Sequence, residues 1–534
     1  MSSLSYCTPD CQPALAHRLT ETISQIHQIK EISQAPSISF GVVHQGKIVP
    51  KGSIGYRDVE AKLDANPDTI YYLILHEDFN PRGNPRIAAE ADIINLLRHS
   101  IRITDPFNLY VVPCGCHLQD SEAQALIPLL NVMPTANPEG QRFNSALDFI
   151  HSRLLQPLGM DRTVLTMADI HDDNVAFQYT MLNNGTLKRL PTEQWPFNTN
   201  TFELPGSGMG SSLNDMLTWC ISVLATEKEE TERDTSNASV SRESPNNPTI
   251  TTMPQPQNPL KQITCVRRGY WTRPPEDPNT SGQAAFGTGW IRMTLPTSML
   301  AAFSGSRQNR EAPWKLHLGP RNFLGLDFEK EKRVIIGHTG GAIGGIATVW
   351  TFPETQSAVC TIVNMRALGD ASDFAAQALI QALFDLEPRV DLIPWVRKQA
   401  ELNKSWLTDG LLKPKMANRR VGDYERDREA YVGEYKVFDD LFTLSISFGS
   451  GREGEGRLAM TFNHVERSRS ELVFFRSDTY SLFTGNLDYW AAEYFPYKDY
   501  RETLLKFELG DAEEVLGLWW VWDTDEERAW MRDI

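Results

Sequence analysis

One run of five residues, Gly337-His338-Thr339-Gly340-Gly341, carries side chains that can do chemistry. An imidazole next to a hydroxyl can help to position an anionic or polar group. A tight turn would explain the glycines of this run but not its histidine–threonine pair. A turn alone therefore leaves His338 and Thr339 unexplained.

The other candidate nucleophiles of the chain are weak. Ser100 follows His99, but adjacent residues on a helix point to different sides, so the two do not form a catalytic dyad. Serines on the glycine-rich stretch near residue 210 are better interpreted as helix caps. Two cysteines have no visible activating group. These remaining candidates are Ser207, Ser211, Ser212, Cys114 and Cys116, and the catalytic residues stay unassigned.

Cysteine usage points away from metals and from a disulfide scaffold. Seven cysteines in 534 residues are few and odd in number, which favours a reducing compartment. The run Cys114-Gly115-Cys116-His117 could form half of a metal site, but no second pair stands at a ligand-like spacing. We expect no metal and no cofactor.

Bulk composition bounds the class of protein. A chain of 534 residues predicts two or three domains, and 41% hydrophobic with 22% charged residues is an ordinary globular balance. A net charge of −16 argues against nucleic acid or anionic membrane as general partners. The first residues lack a basic start with an apolar core, and no apolar stretch is long enough to span a membrane. These features predict a cytoplasmic protein and leave its oligomeric state open.

Hydrophobic periodicity predicts the elements of the first half. Residues 13–32 have the spacing of an amphipathic helix, and residues 37–60 read as two strands that turn at residues 44–46. Helical patterns follow at 88–99 and 146–155, the second one ended by Pro157 and Gly159. Residues 206–225 predict a glycine-rich turn that leads into a helix.

Residues 226–279 are rich in Glu, Ser, Thr, Asn and Pro, which predicts a polar insertion that does not fold alone over its first half. Order is expected to resume at Phe286. Three apolar runs then predict consecutive antiparallel strands at 333–336, 346–352 and 358–365, and residues 372–386 predict a closing helix. A connector covers 387–428.

The last hundred residues are short alternating runs divided by turn residues, which predicts an antiparallel barrel or sandwich. Several aromatic residues there could line a pocket. More often such residues fill a small β core, so we favour the core interpretation. These residues are Trp519, Trp520, Trp522, Tyr494 and Tyr497.

The order of the fragments resembles a known family. GYRDVEAKLDANPDTIYYL, LLQPLGM, GMGSSLNDMLTW, FGTGW and IIGHTGGAIGG succeed one another as in the serine β-lactamase/penicillin-binding-protein family, in its class C β-lactamase, D-aminopeptidase and fungal esterase/acyltransferase branch. The resemblance covers about residues 30–386, and the piece from 429 onward looks like the lipocalin-like domain of fungal members.

The resemblance implies an α/β (α+β) protein. A β-lactamase/transpeptidase-like antiparallel sheet flanked by helices, here incomplete, would occupy residues 13–386 with the insertion at 226–279. The connector 387–428 would lead to an all-β lipocalin-like barrel at 429–534.

The family performs acyl transfer with three motifs: Ser-x-x-Lys with the nucleophile and its base, Tyr-x-Asn, and a Lys/His-Thr/Ser-Gly strand. His338, Thr339 and Gly340 match the third motif. The resemblance therefore implies that His338, Thr339, Gly340 and Gly341 are the candidate substrate-binding residues. The resemblance implies that the backbone N–H of Gly341 is an oxyanion donor and that His338 stands where many members have lysine.

The chain departs from the family at the other two motifs. No serine is followed three residues later by lysine, and no tyrosine is followed two residues later by asparagine. Relatives would carry the serine helix between Leu73 and Ile74, and the Tyr-x-Asn loop between Asn144 and Ser145. Clean cuts between good matches indicate missing exons or a mis-drawn gene model.

Three hypotheses stay open. In the first, the native product is a serine hydrolase or acyltransferase acting on a small ester, lactone or amide, and this sequence records it incompletely. Family analogy gives fungal natural-product tailoring and secondary metabolism as its context. Alternatively the protein is a pseudoenzyme that binds a ligand or partner without catalysis. A third hypothesis is a non-functional remnant.

Overall fold

The structure is a computed structural model. It describes residues 3–5, 13–73, 149–165, 169–182, 185–190, 209–240, 258–273, 284–295, 333–342, 344–365, 368–387, 389–437, 442–449, 456–482, 500–523 and 526–532. The predicted helix at 88–99 and the Cys114–His117 run lie outside these residues.

The strands of the first part of the chain are β1 Ser3–Ser5, β2 Ser37–His44, β3 Lys47–Asp58, β4 Leu63–Asp64, β5 Ile70–Leu73, β6 Tyr179–Met181, β7 Leu187–Arg189, β8 Met209–Ser212, β9 Trp271–Arg273, β10 Ala284–Phe286, β11 Ile291–Leu295, β12 Arg333–Ala342, β13 Gly345–Phe352 and β14 Ser357–Val363. The α-helices of the described residues are α1 Pro13–Ser33, α2 Gln156–Leu158, α3 Leu213–Val240, α4 Ile263–Val266, α5 Ala371–Phe384, α6 Ile393–Ser405 and α7 Lys413–Asn418.

An antiparallel sheet organises this part of the chain, with the described strands in the order β1-β3-β2-β14-β13-β12-β11-β10-β9. Its first hairpin turns at Gln45 and Gly46, as expected, and both residues have positive φ. Strands β12, β13 and β14 are consecutive and antiparallel, which confirms the prediction. The mixed antiparallel sheet and helices agree with a β-lactamase-like domain.

Helices cover both faces of the sheet. On one face α1 and α5 bury Ile38, Phe40 and Trp350 in a large apolar cluster. On the other face α3 packs Leu217 and Cys220 against the sheet. The side chains of neighbouring strand residues alternate between these two clusters, which is the pattern of a sheet buried on both sides.

Helix α3 extends further than the sequence predicts. It continues to Val240, well into the stretch expected to be an unfolded polar insertion. The residues from Glu227 to Asp234 are mostly strong helix formers, and Lys228 forms an i,i+4 ion pair with Glu232. Described structure also resumes before Phe286, with α4 and β9. Polarity therefore did not prevent a solvated helix from forming here.

Arg267 is a fully buried cation that joins α4 to α3 and to the sheet. Its side chain is 0% exposed, and it lies 3.2 Å from the carboxylate of Glu227. It also donates to the hydroxyl of Thr351 and lies over the ring of Trp290. Burial lowers the pKa of Arg267 to about 10, and burial raises the pKa of Glu227 while the nearby guanidinium lowers it.

The connector is mostly helical rather than extended. Helix α6, a π-helical stretch at Trp406–Leu412 and α7 follow one another between the two folded parts. Among the helices that the structure describes, none is long and apolar enough to cross a membrane.

The C-terminal strands form an antiparallel barrel, as predicted. The strands are β15 Gly433–Val437, β16 Phe442–Phe448, β17 Leu458–Phe462, β18 Val465–Arg476, β19 Thr479–Leu482, β20 Leu504–Leu509, β21 Val515–Asp523 and β22 Glu526–Arg532. The barrel closes where β15 pairs with β22 over two residue pairs.

Aromatic residues of the barrel behave as core. Trp520 is 0% exposed, and its indole N–H donates to the carbonyl of Glu502. The rings of Tyr435 and Phe507 pack 5.6 Å apart in the same interior. Trp519 instead reaches the carboxylate of Glu508 outside the core. The side chain of Trp522 and both Tyr494 and Tyr497 lie outside the described residues.

Replacing Arg267 with methionine is expected to destabilise the protein by about 3–5 kcal/mol, because a buried carboxylate at Glu227 loses its cation. Denaturant unfolding measures this loss. Removing Glu227 at the same time (R267M with E227L) should recover most of it. The control K228A breaks an exposed ion pair and should change stability by less than about 0.5 kcal/mol. Equal effects of R267M and K228A would contradict the burial argument.

Lys415 of α7 is buried against the barrel, where its ammonium donates to the carbonyl of Leu482 at 3.2 Å. Burial, and secondarily the charge of Arg419, lowers the pKa of Lys415 to about 7 from 10.5. Between these pH values the unfolded chain holds a proton that the folded protein lacks. Burial of Lys415 therefore costs the most stability below pH 7, where both states are protonated, and this cost shrinks as pH rises from 7 to 10.5.

Replacing Lys415 with methionine should stabilise the protein at pH 6 relative to wild type, by on the order of a few kcal/mol. The advantage should shrink as pH rises towards 10. Chemical unfolding at pH 6, 8 and 10 measures the trend. Lys413, exposed beside Asp409, supplies the control K413M, which should show no such slope. A stability difference independent of pH in K415M would refute the assignment.

Candidate functional site

The complete His-Thr-Gly-Gly segment lies within strand β12, not in the turn that follows it. Strands β12 and β13 form a hairpin whose pairing runs from Ile336 and Thr351 to Ala342 and Gly345. The chain reverses through Gly344, whose φ of +81° is a conformation that favours glycine. The reversal therefore uses Gly344, which follows the motif, while Gly340 and Gly341 are paired strand residues, so a tight turn does not explain the motif.

The two side chains of the motif leave β12 on opposite faces. His338 pairs with Val349, on the face that α3 covers, while Thr339 pairs with Thr348. Thr348 accepts a hydrogen bond from Ser372 of α5, on the other face. Thr339 is only 5% exposed, and its hydroxyl has no hydrogen-bond partner among the described residues. One wall of a binding site can therefore use the side chain of His338 or of Thr339, not both.

The end of β12 has one free edge in the described part of the fold. Pairing between β11 and β12 stops at Ile291 and Gly337. From residue 338 to 342, β12 has β13 on one side and no described strand on the other. Alternate backbone N–H and C=O groups of an antiparallel strand point away from its neighbour. This edge is therefore where a ligand could hydrogen-bond to the backbone of the motif.

The hairpin tip lies beside the carboxyl end of β5. A Cβ placed on Gly345 would be 3.1 Å from the carbonyl oxygen of Tyr72. Strand β5, which pairs with β8, ends one residue later at Leu73. Family relatives are expected to insert the serine helix after Leu73. The described fold thus brings that point of the chain next to the motif strand, while residues 74–148 lie outside the described part.

A buried polar network holds β5, the sheet and residues 177–179 together. The side-chain carbonyl of Asn364 accepts from the backbone N–H and the hydroxyl of Ser37, and its amide donates to the carbonyl of Phe177. Ser37 also hydrogen-bonds to the hydroxyl of Tyr71 at 3.0 Å. Burial raises the pKa of Tyr71, which keeps it neutral. Sequence reasoning missed this network because its members are far apart in the chain.

Gln178 covers the tip of the hairpin. A Cβ on Gly344 would lie 2.4–2.7 Å from three carbon atoms of the Gln178 side chain. The side chain is 1% exposed, and neither of its amide atoms has a hydrogen-bond partner among the described residues. No spacing rule in the sequence marks this residue.

Of the serines near residue 210, Ser212 caps a helix, as predicted. The hydroxyl of Ser212 accepts from the backbone N–H of Asp215 at 3.2 Å, at the start of α3. The hydroxyl of Ser211 is buried against that of Thr163, which donates to Asp215. None of these hydrogen-bond partners is a histidine in the part of the chain that the structure describes. The other candidates, Ser100, Ser207, Cys114 and Cys116, lie outside the described residues.

The fold brings together one serine–histidine pair that the sequence did not predict, because its members are 313 positions apart in the chain. His44 Nδ1 lies 3.0 Å from the hydroxyl of Ser357, and burial lowers the pKa of His44. The hydroxyl of Ser357 is fully buried and also lies 3.0 Å from the carbonyl of Thr355. The pair occupies the end of the sheet opposite the motif hairpin. We interpret it as a structural contact.

Within the described ranges, no three His, Cys, Asp or Glu side chains come together as a possible metal site. The cysteines that the structure describes, Cys220, Cys265 and Cys360, are free thiols. Burial raises the pKa of Cys220 to about 12, so it is not a reactive thiolate.

Comparison with protein families gives one match. The family model described as Beta-lactamase matches residues 138–383, somewhat less than half of the chain. This part of the chain is β-lactamase-like. No curated protein matches the chain.

Solved structures show only distant similarity. The octameric penicillin-binding protein homologue from Pyrococcus abyssi is 16% identical, with a TM-score of 0.41 over 96% of this chain and 99% of that one. The class C β-lactamase from Rhodobacter sphaeroides is 17% identical, with a TM-score of 0.41 over 70% of this chain and 100% of that one. SurE is 14% identical, with a TM-score of 0.41 over 97% and 100%. Similarity at this level carries no argument about activity.

Replacing Gly344 with alanine should destabilise the protein by more than the same change at Gly46. Both glycines have positive φ, but a Cβ on Gly46 would meet nothing within 4 Å. The Gly46 variant therefore isolates the backbone cost of about 1 kcal/mol. The Gly344 variant adds a clash with Gln178, for which we expect a further 1–3 kcal/mol, roughly. Thermal and denaturant unfolding compare the two, and equal losses would show that Gln178 does not press on the hairpin.

Proposed function

We propose that the protein binds a small ester, lactone or amide along the free edge of β12, at a site of the serine hydrolase and acyltransferase class. The observation that carries this proposal is the placement of the motif hairpin. No described strand pairs with the outer edge of the strand from His338 onward, and the hairpin formed with β13 reaches the carbonyl of Tyr72, one residue before Leu73. A substrate carbonyl held at that edge would lie where the family's nucleophile is expected to enter the fold.

The chemistry of the site divides between side chain and backbone. His338, on the α3 face of β12, would position a polar or anionic group of the ligand. The backbone N–H of Gly341 would donate to the carbonyl oxygen, a role that becomes stronger as negative charge develops there. Acyl transfer also needs a hydroxyl and a base to take its proton. The sequence contains no Ser-x-x-Lys, so this chain would bind such a ligand without turning it over.

We further propose that the catalytic form of the gene product contains additional residues between Leu73 and Ile74 and between Asn144 and Ser145. Sequencing the transcript across both junctions tests this. A transcript that encodes Ser-x-x-Lys at the first junction would support a serine hydrolase or acyltransferase, in keeping with natural-product tailoring in a fungus. A transcript and genomic DNA without it would leave a non-catalytic binding protein.

The C-terminal barrel is proposed to be a lipocalin-like domain that supports the first domain rather than a second binding site. Its interior is filled by large side chains, among them Tyr435, Tyr480, Phe507 and Trp520, all at most 3% exposed. A small barrel filled in this way is a packed core.

Replacing His338 with alanine should weaken binding of a small ester such as methyl benzoate about tenfold, because the ligand loses one polar contact in a buried setting. Titration calorimetry or ligand-observed NMR with the purified protein measures the affinity. The control H44A removes a histidine from the opposite end of the sheet and should leave affinity unchanged. Equal affinities of wild type and H338A would argue against a site at β12.

A fluorophosphonate probe separates binding from catalysis. The protein of this sequence should bind ester without covalent labelling, since the sequence contains no Ser-x-x-Lys to activate a serine. Mass spectrometry of the intact protein after incubation detects any adduct. A stoichiometric adduct on one serine would disprove the assignment of this chain as a binding form, and peptide mapping would identify the nucleophile.

A further inference from the structure

The side-chain amide of Gln178 is buried and has no hydrogen-bond partner among the residues that the structure describes. It is 1% exposed, and both Oε1 and Nε2 lack partners among the described residues. Burying an amide without hydrogen bonds is unfavourable, and such groups are rare in folded proteins. A buried amide in this state needs an explanation, and a bound molecule that completes its hydrogen bonds is one.

The surroundings of Gln178 are otherwise fixed. Its backbone carbonyl accepts from the N–H of Leu190, and the next residue, Tyr179, donates its N–H to the carbonyl of Asn364. Its side-chain carbons press on Gly344. The amide is therefore held at the tip of the β12–β13 hairpin by contacts on both sides, a few residues from Gly341, and cannot easily turn away to solvent.

We propose that Gln178 is a specificity-determining residue of the β12 site and that it selects ligands carrying an amide. This inference rests on the function proposed above. A carboxamide offers one donor and one acceptor side by side. A ligand amide with its C=O and N–H on the same side satisfies both atoms of Gln178 through two parallel hydrogen bonds. An ester of the same shape satisfies only the N–H and leaves Oε1 buried without a donor.

The discrimination expected from such a site is large, because a site built to hydrogen-bond an N–H rejects the analogue that lacks it. Benzamide and methyl benzoate form a suitable pair of probes, since they share the aromatic ring and the carbonyl. Wild-type protein should bind benzamide at least tenfold more tightly than methyl benzoate. Replacing Gln178 with leucine should remove this preference, lowering benzamide affinity at least tenfold and changing methyl benzoate affinity less than twofold.

A matched variant tests whether Gln178 has a protein partner instead. Gln381 is equally buried, but its amide accepts from the N–H of Val390 and donates to the carbonyl of the same residue. Q381L should lower the unfolding temperature by several degrees. Q178L should unfold at the wild-type temperature or above, because it removes an amide with no protein bond to lose. A loss in Q178L as large as in Q381L would overturn the inference.

The outcomes separate this inference from the proposed function. If wild type binds both probes equally and Q178L changes neither, Gln178 is not a specificity residue, while the β12 site stands. If wild type binds neither probe, the proposed site fails and the inference fails with it. H338A should weaken the binding of both probes to a similar degree. A loss of affinity in Q178L that is confined to benzamide therefore assigns the selectivity to Gln178.

Discussion

The side chain of Asn364 is the contact on which the geometry of the candidate site depends. It is 2% exposed, and it hydrogen-bonds to Ser37 at the start of β2 and to the carbonyls of Tyr56 and Phe177. Because a buried amide is costly unless its bonds are made, these segments are held in one arrangement. That arrangement places residues 177–179 against the hairpin tip and fixes Gln178 there.

The hairpin itself is held from the side away from its tip. The hydroxyl of Thr351 donates to the carbonyl of Ile336, and Arg267 donates to the same hydroxyl. Gly337 permits this closeness, since a Cβ there would lie 1.9 Å from the carbonyl oxygen of Val349. Close packing against β13 thus requires glycine at position 337. The rest of the run, residues 338–341, lies along the free edge. One short sequence therefore serves two separate needs.

Local patterns in the sequence predicted the elements well because each pattern reports burial of its own residues. The periodicity of residues 13–32, the three strands after 333 and the short alternating runs of the barrel all reflect this. The prediction that the polar insertion begins at residue 226 was wrong as far as Val240, where α3 ends, because polarity was taken as evidence against order. The candidate site was harder to predict from the sequence. Asn364 and Ser37 are 327 positions apart in the chain, and only its three-dimensional surroundings distinguish Gln178 from other glutamines.

The opposite directions of His338 and Thr339 change how the motif should be understood. A sequence match treats the two side chains as one binding wall, but β-strand alternation gives each face only one of them. Thr339, buried beside the α5 face, serves the sheet, while the free edge, the imidazole of His338 and the amide of Gln178 remain for a ligand. The hairpin keeps this geometry through its own pairing, the packing of α3 and the contact of Gln178 with Gly344. The motif therefore accounts for the packing of a sheet hairpin, and in the function proposed above the same strand edge holds the ligand while catalysis needs residues that would follow Leu73.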